Sequence, residues 1–378
     1  MRLFAVLVLA QYFEVVTDCG GATAPAVSDP PVTQVQSGSE YGCSVKAGAV
    51  RCWGANTNGQ LGRGTTSAFE GGGNVTLPEA IAQIGVGDST TCARSVTGKV
   101  YCWGNNDHQQ LSRVDPATSP TPVEIEVPVP VMKLAMHSDY ALALGSDGRL
   151  FAWGNDSEGT FARSDENPHV WPVPKPRLRA AMEHHFKDIT AGQGHACGIE
   201  QDDSLWCWGR NVARELGVET PEDQSRTAVK VMEGVSSVVA GAFGTCAIKL
   251  GTGEVFCFGD VLIDDMTRER ITQPTPTKMD LGGKSARQID QQWFHSCAVT
   301  TDDTLWCWGR GIEGQLGLGS VSPSNVPRQA ATGIRSVGTG FFFTCAERLD
   351  GVIACTGENN RAQLGLSDQN RRYTLTPQ

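Results

Sequence analysis

The sequence is poor in charge and has no long apolar run beyond its N-terminus. Charged residues make up 19% of the 378 residues, and no later stretch is long and apolar enough to cross a bilayer as a helix. Runs of Lys and Arg are also absent, and the formal net charge is −10. Such a surface does not neutralise phosphates, so we do not expect nucleic acid as a partner. With 40% apolar residues, the chain is still expected to fold around a large core.

The familiar catalytic and metal-binding motifs are missing as well. The sequence contains no P-loop, GxSxG, HExxH or dinucleotide-binding fingerprint, so neither an enzyme nor a cofactor is indicated. It has 13 cysteines but no CxxC pair, which removes the main signature of zinc ribbons and thioredoxin-like proteins. So many cysteines without metal spacing favour disulfides, and therefore an oxidising compartment.

The N-terminus is consistent with export. Arg2 precedes the apolar stretch 3–10, which has the length of a signal-peptide core. One interpretation is a signal peptide over residues 1–24, and the other is a lipoprotein signal that ends before Cys19, which would then carry the lipid. Residues 25–36 form an extended tether in both cases. We therefore expect a secreted or cell-surface protein, with a lipid anchor as the only membrane contact.

Seven copies of one cysteine-containing motif organise the chain. Each copy consists of a cysteine, a short turn, a second cysteine and Trp-Gly, and several continue into Gly-Gln-Leu-Gly. The second-cysteine positions are 52, 102, 152, 207, 257, 307 and 355, which gives a period of about 50 residues. Position 152 is alanine, because the third copy has lost both cysteines. Self-similarity at this period is typical of propellers and solenoids.

Within each copy the pattern predicts short antiparallel strands. Residues 204–208 alternate, with Leu205 and Cys207 on one face, and the polar turn at Asp202-Asp203 joins them to the preceding strand. The leucine of Gly-Gln-Leu-Gly is expected to fill the space between neighbouring repeats. A proline-containing strand such as 120–124 follows, and proline is tolerated at a sheet edge. Four short strands in each repeat predict a propeller blade.

These motifs closely resemble the RCC1 (regulator of chromosome condensation) repeat, in the superfamily that also contains the secreted β-lactamase-inhibitor protein II. The resemblance covers residues 31–378, which we interpret as one domain. It implies an all-β fold, a seven-bladed β-propeller with about 50 residues in each four-stranded blade. Copies five and seven depart most, since Phe258 and Thr356 replace the tryptophan. We further expect the last strand, 372–377, to complete the first blade beside 32–35 and so to close the ring.

The cysteines are expected to pair within repeats. The two positions of a copy lie 9 to 11 residues apart on adjacent antiparallel strands, and the two slots without cysteine fall in the same copy. Buried free thiols are the alternative. The predicted disulfides are Cys43–Cys52, Cys92–Cys102, Cys197–Cys207, Cys246–Cys257, Cys297–Cys307 and Cys345–Cys355.

Candidate catalytic and metal sites are few and weak. His195 and His295 precede the first cysteine strand of their copies, where the family often has histidine, and we interpret both as scaffold residues rather than bases. The adjacent pair His184-His185 is a poor metal site. Carboxylates that we assign mainly to hairpin turns occur at Asp202-Asp203, Asp264-Asp265, Asp302-Asp303 and Asp147. The sequence thus predicts no catalytic, cofactor or metal residue.

A binding role is the prediction that remains. The longest step in the period, 55 residues, runs from position 152 to Cys207. Its extra length falls between Asn155 and Lys187, a segment that contains a possible binding loop with Trp171, Arg177 and Arg179. We expect a monomer that binds a protein partner through one propeller face, outside the cytoplasm. The resemblance suggests as alternatives a secreted inhibitor of an enzyme such as a β-lactamase and, less favoured, a guanine-nucleotide exchange factor, a hydrolase or a lyase.

Overall fold

A computed structural model of the chain describes residues 34–161, 173–178, 184–263 and 270–378. These residues form 28 strands and no helix, arranged as seven antiparallel sheets of four strands. Each sheet uses four strands that are consecutive in the chain, and the sheets succeed one another around a central axis. The prediction of a seven-bladed β-propeller with four-stranded blades is confirmed.

The first four blades span the region from Gln34 to Met232. Blade 1 contains β1 (Gln34–Ser37), β2 (Tyr41–Lys46), β3 (Ala49–Asn56) and β4 (Ser67–Asn74); blade 2 contains β5 (Ile81–Val86), β6 (Thr90–Ser95), β7 (Val100–Asn105) and β8 (Thr118–Ile125). Blade 3 contains β9 (Val131–His137), β10 (Tyr140–Gly145), β11 (Leu150–Gly154) and β12 (Val173–Leu178); blade 4 contains β13 (Phe186–Ala191), β14 (His195–Glu200), β15 (Leu205–Arg210) and β16 (Gln224–Met232).

The last three blades repeat the same order. Blade 5 contains β17 (Val235–Ala240), β18 (Gly244–Lys249), β19 (Val255–Ile263) and β20 (Arg270–Met279); blade 6 contains β21 (Ala286–Gln292), β22 (His295–Thr300), β23 (Thr304–Gly309) and β24 (Ser324–Thr332). Blade 7 contains β25 (Ile334–Thr339), β26 (Phe343–Arg348), β27 (Ile353–Gly357) and β28 (Arg372–Pro377). The first strand of each blade lies nearest the axis, and the fourth forms the outer edge.

The central hairpin of each blade is built as the motif predicts. In blade 4, Cys197 lies directly opposite Cys207, and the turn between the strands holds Asp203 at a φ of 68°. That left-handed conformation favours Gly, Asn and Asp, which explains the residues found in these turns. All six cysteine pairs form disulfides, with Cα atoms 4.0 to 4.2 Å apart. In blade 3, Leu142 and Ala152 occupy the equivalent positions and are fully buried.

Tryptophan and leucine fill the spaces between blades. Trp103 of blade 2 is fully buried against Leu61 of blade 1, and its Nε1 donates to the carbonyl of Gln60 at 2.8 Å. The Gly-Gln-Leu-Gly loop therefore supplies both the apolar plug and the acceptor for the next blade. Trp153 and Trp208 repeat the contact with the carbonyls of Gln110 and Thr160.

The innermost strands are joined by side chains rather than by a shared ladder. Gln83 of blade 2 donates from Nε2 to the carbonyl of Leu134 in blade 3 at 2.8 Å and accepts from its N–H at 3.0 Å. Gln288 of blade 6 forms the same pair of hydrogen bonds with Val337 of blade 7. These contacts satisfy polar backbone groups that would otherwise face the axis unpaired.

The expected closure by strand exchange is wrong. Strand β28 pairs with β27 and completes blade 7, while β1 pairs with β2 as the innermost strand of blade 1. The reason is the phase of the repeat: 28 strands divide into seven consecutive sets of four, so no strand remains to be shared. Blades 7 and 1 instead meet through side-chain contacts, of which the Trp53 indole bonded to Gln363 is one.

Blade 5 departs from the pattern because it lacks the Gly-Gln-Leu-Gly loop. Its third and fourth strands continue past Gly259 as an extended hairpin, in which Leu262 pairs with Ile271 and Ile263 with Arg270. Phe258 fills the tryptophan position and is fully buried. In the next blade Trp308 is also fully buried, but its Nε1 has no acceptor among the described residues. Blade 5 thus lacks the loop that supplies the main-chain acceptor to the indole of the next blade elsewhere in the ring.

Candidate protein-binding face

One face of the propeller, here called the loop face, carries the turns that follow the innermost strands. In an antiparallel meander these turns and those after each third strand lie at the same end of the blade. The two residues at the tip of each first turn are therefore ring neighbours. From blade 1 to blade 7 they are Ser39-Glu40, Asp88-Ser89, Ser138-Asp139, Gln193-Gly194, Ala242-Phe243, Trp293-Phe294 and Phe341-Phe342.

Five half-buried aromatic residues cluster on blades 5 to 7 of the loop face. We call this cluster the aromatic crescent; its members are Phe243, Trp293, Phe294, Phe341 and Phe342. Trp293 links the three blades, since its ring centroid lies 5.6 Å from that of Phe243 and 4.3 Å from that of Phe341. Aromatic side chains that are packed together but still reach solvent are typical of protein interfaces.

Arginines lie over the aromatic rings and are themselves held by carboxylates. The guanidinium of Arg270 lies 4.6 Å from the Phe243 ring centroid, and that of Arg310 lies 5.0 Å from that of Phe342. Arg310 forms two hydrogen bonds with Glu313, at 2.9 and 2.6 Å. This pairing lowers the pKa of Glu313, against the opposing effect of burial. The arginines are thus fixed in position and their charge is largely balanced.

The opposite side of the loop face is acidic. We call the carboxylates of blades 1 to 3 the acidic crescent; they are Glu40, Asp88, Asp107, Asp139 and Glu158. Four of them, all except Glu40, line a pocket of about 360 Å³ between the turns of blades 2 to 4. Among the described residues lining it, Arg210 is the one arginine, and no lysine occurs. Arg210 also lies 5.2 Å from the Phe243 ring centroid, so it marks the border with the aromatic crescent.

A hydrogen bond across the axis joins the two halves of the face. Five blades have glycine three residues before the second strand, but blades 3 and 6 have His137 and Gln292 there. The imidazole Nε2 of His137 donates to Gln292 Oε1, and its Nδ1 lies 3.0 Å from the Ser138 hydroxyl. Burial lowers the pKa of His137, so the ring is neutral and can make both contacts. The pair therefore links blades 3 and 6 on opposite sides of the axis.

His195 and His295 lie between blades, away from the loop-face surface. His195 Nε2 lies 2.8 Å from Thr245 Oγ1, and His295 Nε2 lies 2.8 Å from Thr344 Oγ1. Each threonine hydroxyl donates to a main-chain carbonyl, so each histidine is the donor to its threonine. Burial lowers both pKa values, that of His295 to about 3. These contacts agree with the interpretation of both histidines as scaffold residues.

The other candidate sites are also held by local contacts. His184 bonds Glu200 at 2.6 Å and packs against Trp206, while the neighbouring His185 is exposed. Asp203 bonds Lys187 of β13, Asp302 bonds Lys284 of the connection before β21, and Asp147 pairs with Arg149 at 2.5 Å. The described residues contain no group of three or more His, Cys, Asp or Glu that could hold a metal ion, and no helix that could span a membrane.

Several predicted features lie outside the described residues. These are the signal peptide over 1–24, Cys19, the greater part of the 25–36 tether, the pair Asp264-Asp265, and two residues of the possible binding loop, Trp171 and Arg179. Arg177 lies in β12, where its backbone pairs with Ala152 of β11. The binding loop therefore stays a prediction.

The aromatic crescent was missed from sequence, although a signal for it exists. Its residues occupy the two positions immediately before the second strand of each blade, where blades 1 to 4 have Ser, Asp, Glu, Gln or Gly. Aligned by the cysteine motif, the repeats show this change from polar to aromatic directly.

Comparison with known proteins places the chain in a family. Residues 15–331 match the family described as the RCC1-like domain. The chain belongs to the RCC1-like domain family. The resemblance drawn from the cysteine and Gly-Gln-Leu-Gly motifs is therefore confirmed.

Individual relatives support the fold more than a particular activity. The chain is 34% identical to the Arabidopsis thaliana ultraviolet-B receptor UVR8 over 158 residues, which is 39% of this chain and 35% of the receptor. Human WBSCR16 superposes with a TM-score of 0.77 at 18% identity, over 87% of this chain and 93% of that one. Yeast RCC1 (Prp20), solved bound to Kap60, gives 0.76 at 17% identity, over 98% and 91%. At these identities the structural matches show the propeller fold alone.

Proposed function

We propose that this chain is a protein-binding propeller that acts outside the cytoplasm and carries out no chemistry of its own. The single observation that carries the binding role is the aromatic crescent. Trp293 and Phe341 reach solvent beside positioned arginines, and Trp and Arg are enriched among the residues that dominate binding energy at interfaces. A closed ring of blades, six of which carry an internal disulfide, presents these residues with little conformational entropy left to lose.

The cysteines and the N-terminus together support a location outside the cytoplasm. Six disulfides would not persist in a reducing cytosol, and the stretch from Arg2 to Ala10 has the character of a signal peptide. Relatives offer a parallel for the binding role, because the solved structure of yeast RCC1 (Prp20) is a complex with Kap60. A secreted inhibitor would use the same face to block one enzyme, and is the narrower form of this proposal.

The binding test compares three forms of the mature chain on a solid support. Wild type, Trp293→Ala and Phe69→Ala are exposed to secreted and surface proteins of the source organism, and retained proteins are quantified by mass spectrometry. Phe69 is 36% exposed on the outer strand β4 of blade 1, a blade that contributes no residue to the crescent, and it serves as the matched control. We expect proteins that wild type and Phe69→Ala retain but Trp293→Ala loses. Identical retention by all three forms would refute the assignment of this face.

The compartment is tested separately by cell fractionation with N-terminal sequencing of the mature protein. An N-terminus near residue 25 in the medium indicates a secreted form, and a lipid-modified Cys19 indicates an anchored form. Full-length, reduced protein in the cytosol would contradict export. Turnover of polysaccharide or peptide libraries by purified protein would contradict the absence of catalysis.

A further inference from the structure

We propose that the loop face binds a protein segment that combines an apolar anchor with lysine or arginine side chains. The anchor lies on the aromatic crescent, and the cationic side chains enter the acidic crescent. This inference rests on the proposed function and adds the chemistry of the partner and its orientation on the face.

The aromatic crescent itself does not favour an acidic partner. The three arginines that lie over its rings already have carboxylate partners: Arg210 bonds Glu215 at 2.7 Å, Arg270 bonds Asp260 at 3.2 Å, and Arg310 bonds Glu313 at 2.6 Å. Acidic groups of a partner would have to compete with these pairs. The surface that remains available is the solvent-facing part of Trp293, Phe341 and their neighbours, which suits an aliphatic or aromatic anchor.

The acidic crescent has the opposite character, because most of its charge is unbalanced. Asp88, Asp107 and Glu158 form no ion pair among the residues that the structure describes. Glu40 lies 3.7 Å from Arg361, and Asp139 lies 2.9 Å from His108. The pocket between them, about 360 Å³, is large enough for the head of a lysine or arginine side chain. Complementary charge of this kind steers association and fixes the orientation of a partner.

The two crescents are close enough for one segment to cover both. Gln292 precedes Trp293 of the aromatic crescent, and it bonds His137, two residues before Asp139 of the acidic crescent. Arg210 lines the acidic pocket and also lies over Phe243. The charge and the apolar surface are therefore arranged along one continuous path across the axis, rather than on separate faces.

The test is a selection with a defined probe. Phage displaying random peptides of about twelve residues, which reach roughly 40 Å when extended, are selected on the immobilised mature chain. A second selection uses Trp293→Ala, and a third uses the double variant Asp88→Asn with Asp139→Asn. Thermal melting of each variant establishes that it is folded, and Phe341→Ala replaces Trp293→Ala should the latter not fold.

We expect wild type to enrich peptides with an aromatic or aliphatic anchor and a net positive charge. Trp293→Ala should lose these peptides, and the double variant should bind them at least about tenfold more weakly, with the difference shrinking at about 0.5 M salt. Enriched peptides that are neutral or acidic but depend on Trp293 would overturn the inference and leave the proposed function intact. Equal binding of these peptides by wild type and the double variant would also overturn the inference. A selection that yields no Trp293-dependent peptide would overturn it too, and would count against the proposed binding face as well.

Discussion

The indole Nε1–H of Trp53 in blade 1 donates to the main-chain carbonyl of Gln363 in blade 7 at 2.9 Å, across 310 residues of sequence. This contact repeats the one that Trp103 makes with Gln60 inside the chain. The ring is therefore closed by the same interaction that stacks its consecutive blades. Among the strands that the structure describes none is exchanged, so the described blades 7 and 1 meet through side-chain packing and hydrogen bonds.

Trp53→Phe should weaken ring closure. It removes a buried hydrogen bond between blades 7 and 1, which should lower the unfolding free energy by about 1 kcal/mol. The loss of packing around the smaller side chain lowers it further. Trp308→Phe is the matched control, because Trp308 is equally buried but its Nε1 has no acceptor among the described residues. Urea denaturation should show the larger loss for Trp53→Phe. An equal loss in both variants would mean that the hydrogen bond contributes nothing.

The inner ring offers a second site at which side chains join blades. Gln83→Ala removes both hydrogen bonds to Leu134 and leaves its N–H and carbonyl unpaired, so we expect a loss of roughly 1–3 kcal/mol. Gln329→Ala, on the exposed outer strand of blade 6, should change stability by less than about 0.5 kcal/mol. Thermal melting of both variants provides the comparison. A stable Gln83→Ala protein would show that water satisfies the inner strands.

The repeat made most of the fold predictable from sequence. The cysteine spacing and the Trp-Gly dipeptide predict the central hairpin of every blade. Side chains alternate between the two faces of a strand, so placing the two motif positions opposite one another leaves only one possible pairing register. Ring closure could not be read in the same way. A four-strand repeat can be counted from any of its strands, so the local sequence pattern does not show whether the chain begins with an inner or an outer strand.

The binding face was harder to predict for a different physical reason. Positions such as Trp293 and Phe341 sit at turn tips, where no burial pattern constrains the residue type, so a single repeat gives no reason to single them out. The extended hairpin of blade 5 was signalled only by the loss of Gly-Gln-Leu-Gly after Gly259. Its consequence, the unpaired indole of Trp308, requires the packing of two blades to be known.

Removing one disulfide should lower stability without unfolding the ring. We expect the double variant Cys197→Ala, Cys207→Ala to lose about 2–3 kcal/mol, since the bond closes a short loop in the unfolded chain. Blade 3 shows that a blade forms without the bond, with Leu142 and Ala152 at those positions. Urea denaturation measures the loss, and reduced wild type should be less stable than this variant. Alkylation of Cys197 in native, non-reduced protein would contradict the pairing.

The buried His295 should make the protein sensitive to acid. Its folded pKa, about 3, is below the usual 6.5 mainly because of burial; Glu313 raises this pKa and Arg310 lowers it, each by less than burial does. Between these values the unfolded chain binds a proton that the folded chain does not, so stability falls as pH decreases, by up to about 1.4 kcal/mol per pH unit. His295→Gln can keep a donor to Thr344 but cannot titrate, so its stability should decline less steeply between pH 6 and 4. His295→Phe, which copies Phe343 of blade 7, should show the same shallower slope at lower overall stability, and urea denaturation across this range measures both. A wild-type slope in both variants would show that His295 takes up no proton on unfolding.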